Sequence, residues 1–221
     1  MQSFDTPAPI SAVLDVPAGR LQLIAADRAD TTVEVRPADA SKGRDVRAAE
    51  QTEVEYADGV LRIVSSARKH ALASPGSVEV TIQLPAGSRV EAKAASAEFR
   101  GVGRLGDVAF DGSHGAIRID EVASIRVATA AGDVSIGRLG GPAEISTGKG
   151  DIRVTEARRG TVVLRTQAGD VSVGAARGVS ACLDAGTTLG RIRNALQNTA
   201  GVPDLSIHAT TAQGDIAAHS L

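Results

Sequence analysis

The chain has 221 residues, a formal net charge of −2 and only 2% aromatic side chains, with no Trp, one Tyr and three Phe. Its charges are interspersed, which excludes the basic footprint of a nucleic-acid-binding domain. The lone Cys182 excludes an intramolecular disulfide framework and fits a reducing compartment. The apolar content is mostly Ala and Val, with Ile and Leu, which suits a thin interior layer, and no apolar run approaches the ~18 residues of a membrane helix.

The opening segment, Met1-Gln2-Ser3-Phe4-Asp5-Thr6-Pro7, carries neither a basic nor an apolar leader region. The expected location is therefore cytoplasmic, or the cell surface if a leader has been removed. Short period-two alternations follow at Leu21 to Ile24, Thr32 to Val35, Val54 to Tyr56, Val60 to Ile63 and Val78 to Ile82, each reading as a half-buried strand. A corner occurs twice, as Val16-Pro17-Ala18-Gly19 and Leu84-Pro85-Ala86-Gly87, where Pro and Gly fit the second and fourth positions of a type I turn. Residues 38–47 read as a loop, residues 45–51 as a short helix and residues 68–75 as a second loop. Residues 1–98 are expected to form an irregular β capping region that covers the unpaired edge of the coils that follow.

From residue 99 to 221 the pattern becomes periodic. A threonine stands three residues before a glycine at Thr129/Gly132, Thr147/Gly150, Thr166/Gly169, Thr187/Gly190 and Thr211/Gly214, and the glycines step by 18, 19, 21 and 24 residues. A period in this range marks a stacked-repeat architecture. Two and four residues after the glycines stand Val134/Ile136, Ile152/Val154, Val171/Val173, Ile192/Asn194 and Ile216/Ala218. Two and four residues before the threonines stand Val127/Ile125, Ile145/Ala143, Leu164/Val162, Ala185/Leu183 and Ala209/Ile207. Degenerate coils begin at Gly106 and Gly115. Both flanks alternate with period two, so each coil is expected to be two short strands joined by a Thr-x-x-Gly corner and a glycine-rich turn. The expected fold class is all-β: a β-solenoid of two-strand coils of about 18–24 residues. One coil buries too little to fold alone, so stability must come from stacking.

Parity places the corner threonines with the inward Ile and Leu, and Cys182 and His208 outward. Aspartate follows the glycine at Asp107, Asp133, Asp151, Asp170 and Asp215, while Ala116 and Arg191 take that place in two coils. This column reads either as turn chemistry or as a Ca²⁺ ladder. The first is favoured, because the nonapeptide pattern G-G-x-G-x-D is not repeated and stacked carboxylates repel unless paired. Gly148-Lys149-Gly150 fails the phosphate-loop pattern and reads as a turn. His70, His114, His208 and His219 lack ligand spacing. No metal, cofactor or catalytic residue is expected.

The Gly-Asp-Val/Ile coils, the Thr-x-x-Gly corners and the strand leading into Leu84-Pro85-Ala86-Gly87-Ser88 resemble a bacterial putative-adhesin family of β-strand-repeat domains of unknown function, and the resemblance covers nearly the whole chain. It implies a β-solenoid, a surface location and no catalytic residue. The residues themselves point to a non-enzymatic structural or protein-interaction scaffold. The alternatives are a carbohydrate- or surface-binding module, and a polysaccharide-active β-helix enzyme. The partner is expected to be another protein or a second copy, joined about a two-fold axis through a C-terminal coil whose open edge exposes Ile207 and Ile216, unless His208, His219 and residues 198–204 fold over that end.

Overall fold

Period-two burial along nearly every strand is what the computed structural model makes of this sequence; it describes residues 1–65, 76–198 and 201–221. The fold is an all-β solenoid of stacked two-strand coils, in two compact units, Met1–Gly115 and Ala116–Leu221. The second loop expected at residues 68–75, with His70, lies outside the described residues.

The first unit contains β1 (Gln2–Asp5), β2 (Ser11–Asp15), β3 (Ala18–Ala26), β4 (Asp30–Pro37), α1 (Gly43–Glu50), β5 (Thr52–Ala57), β6 (Val60–Ser65), β7 (Val78–Pro85) and the long β8 (Arg89–His114). The coil β2–β3 lies in the middle of a parallel stack. β2 pairs with β6 on one side and β8 on the other, and β3 pairs with β7 and β8. The outer row is antiparallel: β4 runs against β7, β1 against β4, and β5 against β6. Rings of Phe4 and Tyr56, 5.3 Å between centroids, join β1 to β5. The expected short helix is present as α1, which packs on β4 and β7, and its buried Asp45 accepts the Ser77 amide hydrogen at 3.0 Å.

The second unit holds β9 (Ile117–Ala131), β10 (Val134–Leu139), β11 (Ala143–Lys149), β12 (Ile152–Ala157), β13 (Gly160–Ala168), β14 (Val171–Ala175), β15 (Ala181–Leu189), β16 (Ile192–Ala195), β17 (Leu205–Gln213) and β18 (Ile216–Ser220). All its pairings are parallel. One wall stacks β9, β10, β12, β14, β18 and β16, and the other stacks β9, β11, β13, β17 and β15. Register is kept along each wall, so Ile117, Val134, Ile152, Val171, Ile216 and Ile192 form one inward column, and Val127, Ile145, Leu164, Ala209 and Ala185 another. A one-residue slip would turn every such side chain to solvent, which is why a buried column fixes the pairing.

Row order departs from chain order, and this corrects the expected edge. After β14 the chain skips a row, builds β15 and β16 outside it, and returns to fill the gap with β17 and β18. β17 is paired on both sides, by β13 and β15, and β18 by β14 and β16. Ile207 and Ile216 are therefore fully buried core residues rather than an open edge. Among the described residues the outer row of this unit is β15 and β16.

The register predicts a sharp contrast between neighbours in sequence. Ile145 is fully buried and Ser146 is exposed. Ile145→Asp places an unpaired charge in a thin core and should cost more than about 4 kcal/mol, whereas Ser146→Asp should stay within about 0.5 kcal/mol. Thermal melts compare the two; equal losses would refute the register.

Candidate functional site

The repeated corner is built from two hydrogen-bond columns. The inward threonines donate their hydroxyls to the glycine carbonyl of the neighbouring row: Thr147 to Gly132 at 3.4 Å, Thr166 to Gly150 at 3.1 Å, Thr211 to Gly169 at 3.0 Å and Thr187 to Gly214 at 3.0 Å. Thr129 opens the column on β9. A buried hydroxyl needs such a partner, and each bond contributes about 1 kcal/mol net. Glycine is required where the rows meet. At Gly169, with φ 153°, a Cβ would lie 2.1 Å from the Gly150 carbonyl oxygen, and at Gly214, with φ 150°, 2.0 Å from that of Gly169.

The aspartates form the second column, on the outer side of the corner. The amide of Asp151 donates to Asp133 Oδ1 at 3.0 Å, that of Asp170 to Asp151 at 2.8 Å, that of Asp215 to Asp170 at 2.7 Å, and that of Arg191 to Asp215 at 2.9 Å. Each carboxylate thus holds the backbone of the next row. That bond offsets the repulsion between acids one strand spacing, ~4.8 Å, apart. The column ends on a cation. Arg191 Nε and Nη2 reach Asp215 Oδ2 at 3.2 and 2.9 Å. The Arg191 amide, and then its guanidinium, hold the Asp215 carboxyl below the usual carboxylate range. Among the described residues no group of three or more His, Cys, Asp or Glu is placed to hold a metal ion.

The other residues singled out by sequence stay apart from this corner. His208 points outward and pairs with Asp184 at 3.2 Å, and Cys182 sits beside Ser206 at 3.7 Å. His114 and His219 are exposed. An open cleft of about 580 Å³ is lined by Glu156, Arg158, Ala176, Arg177, Val179 and Leu221.

The outermost coil is where the columns stop being covered. Ile192 is 46% exposed, although its column mates Ile216, Val171 and Ile152 are about 1% exposed, and Leu189 at the corner is 63% exposed. Leu183, Ala185 and Thr187 are half-exposed, and every residue of β16 is exposed. Among the described residues β15 pairs only with β17, and β16 only with β18. The sequence reading missed this coil as the edge. Its signals were Arg191 in the aspartate column, Asn194 in an apolar column and the long segment after β16.

Because the folded-state pKa of Asp215 is lowered, its contribution to stability is present above the unfolded value of ~3.9 and is lost as pH falls through the folded value. The melting-temperature advantage of the wild type over Asp215→Asn should therefore be present near pH 5 and vanish at lower pH. An advantage that persists in acid would show that the carboxylate charge is not what anchors Arg191.

The family model described as Toastrack DUF4097 matches residues 13–220. A putative adhesin from Bacteroides fragilis NCTC 9343 has the same fold, at 15% identity and TM-score 0.58, over 98% of this chain and 95% of that one. A putative adhesin from Parabacteroides distasonis ATCC 8503 aligns at 13% identity and TM-score 0.47, over 98% and 95%. A putative cell adhesion protein from Clostridium sporogenes ATCC 15579 aligns at 13% identity and TM-score 0.40, over 100% and 98%. No curated protein matches the sequence.

Proposed function

The chain belongs to the Toastrack DUF4097 family, and we propose that it is a non-enzymatic scaffold that holds another protein by strand addition to β15 and β16. The observation that carries this reading is the uncovered outer coil. Among the described residues its edge strands present backbone groups with no strand partner beside Leu189 and Ile192, whose side chains are 63% and 46% exposed, while at the start of β15 the Ala181 amide is already bonded to the Gln197 carbonyl at 3.1 Å. An exposed strand edge of this kind templates pairing with another chain, with main-chain bonds giving affinity and flanking side chains giving selectivity. The column that crosses the repeat corner is consumed internally: the aspartates hold backbone amides and the threonines hold carbonyls. Those polar groups serve the stack rather than a substrate.

Surface attachment is the second reading. It is favoured by the fold shared with the putative adhesin of Bacteroides fragilis, and it would use an outward sheet face to meet carbohydrate. In the second unit one such face carries the outward column Arg118, Ser135, Arg153, Ser172, Ala217 and Arg193, in which arginines stand among small side chains. No helix among the described residues is long and apolar enough to cross a membrane.

The two readings separate on a pair of variants. Leu189→Lys with Ile192→Lys changes only side chains already exposed, so the melting temperature should move by no more than about 3 °C. Protein association, followed by light scattering across a concentration series, should be lost. Association that survives the double variant would remove the outer coil from the function. Binding to immobilised glycans that the variant leaves intact would favour the surface reading instead.

A further inference from the structure

We infer that the occupant of the β15–β16 edge is a second copy of this chain, joined about a two-fold axis so that β15 of one copy runs antiparallel to β16 of the other; this rests on the strand-addition reading above. Geometry narrows the choice first. β15 and β16 are consecutive strands on opposite walls of one coil, each at the end of a parallel stack. A two-fold axis across the stack sets each edge strand antiparallel to the strand it meets. Antiparallel closure is also how this chain ends its other stack. β4 and β5 add antiparallel to β7 and β6 in the first unit, and the Phe4–Tyr56 ring pair joins that outer row. β15 and β16 contain no aromatic residue, no Lys and no Pro. Their inward positions, Ala181, Leu183, Ala185, Thr187, Ile192 and Asn194, carry no charge, so of the usual protections of a free edge the described residues supply only the Gln197 carbonyl, which holds the Ala181 amide at the start of β15.

Continuation by a further parallel row is disfavoured at the corner. Each inner row hands the next amide an aspartate oxygen, whereas the outer row presents Arg191, whose guanidinium turns back to Asp215. A head-to-tail copy stacked as another coil would find no acceptor there, which argues against a filament.

Charge then selects between the two antiparallel arrangements. The exposed outward charges of the edge are Asp184 on β15 and Arg193 on β16. The Asp184 side chain is 83% exposed, and its one ion pair among the described residues is with the exposed His208 at 3.2 Å. Arg193 makes no ion pair among the described residues. Pairing like strands would set Asp184 against Asp184 and Arg193 against Arg193. Pairing β15 with the partner's β16 brings unlike charges to the same seam, twice by symmetry.

Sedimentation equilibrium of the full chain, with charge-swap variants, tests this. The wild type should form a dimer and no larger species. Asp184→Arg should raise its dissociation constant about tenfold or more, and adding Arg193→Asp should restore it to within about threefold. Asp184→Arg and the double variant should melt together, since both sites are exposed. A dimer indifferent to Asp184→Arg, or not restored by the second change, would overturn the unlike-strand arrangement. A chain that remains monomeric at high micromolar concentration would overturn self-pairing. Amide hydrogen exchange on that monomer then keeps the two ideas apart: fast exchange in β15 and β16 leaves the strand-addition reading standing, and protection there removes it as well.

Discussion

Everything in this molecule depends on the step from one row to the next. A parallel strand spacing of ~4.8 Å is too short for bulky corners and too regular to be adjusted locally. The chain must therefore turn without a Cβ and satisfy its turn amides within that rise. Gly-Asp at the start of a strand and Thr three residues before it meet both demands. The glycine lets backbone approach backbone, the aspartate receives the next row's amide, and the threonine hydroxyl closes onto the neighbouring carbonyl. Small branched side chains fill the thin space between the walls, and Thr147, Thr166 and Thr211 are buried in line with the Ile and Leu beside them.

Because each corner satisfies its neighbour, any coil with the motif can stack on any other. The order of rows is then free to differ from the order of the chain, and it does so in both units. In the second, β17 and β18 fill a slot left between β13–β14 and β15–β16. In the first, β7 lies between β3 and β4, parallel to one and antiparallel to the other. A strand inserted this way is paired on both edges, and its contacts are long-range in sequence. Such pairings are slow to form, since loop closure precedes any stabilising contact. The outer row is held by the strand that arrives after it.

This explains what was legible in the sequence. The columns containing Ile145, Leu164 and Val171 were readable because period two admits one inward set. Thr147, Thr166 and Thr211 followed from the same parity, and α1 from the run around Asp45 to Gln51. Row order was not readable, because the repeat that makes coils recognisable makes them interchangeable. Ile207 and Ile216 looked terminal by their place in the chain, yet they carry the same signature as any interior row. What distinguishes an end row is a local defect in the signature. Arg191 replaces an acceptor, Asn194 an apolar residue, and Gly190 is not among the corner glycines held at positive φ.

The first unit ends its stack with strands of reversed direction, an aromatic ring pair joining β1 to β5, glutamates at Glu53 and Glu55 on an outer strand, and a helix alongside. Each of these either satisfies an edge or makes it unattractive to a neighbour. The second unit ends with Ile192 and Leu189 in solvent, no inward charge and a corner that terminates its own ladder. A terminated ladder with an uncovered core combines two opposite properties: it refuses another coil of the same kind, yet leaves apolar surface to be covered. The end of an open-ended stack would share the uncovered apolar surface but not the terminated ladder, so the turn of Arg191 back to Asp215 is what sets this end row apart.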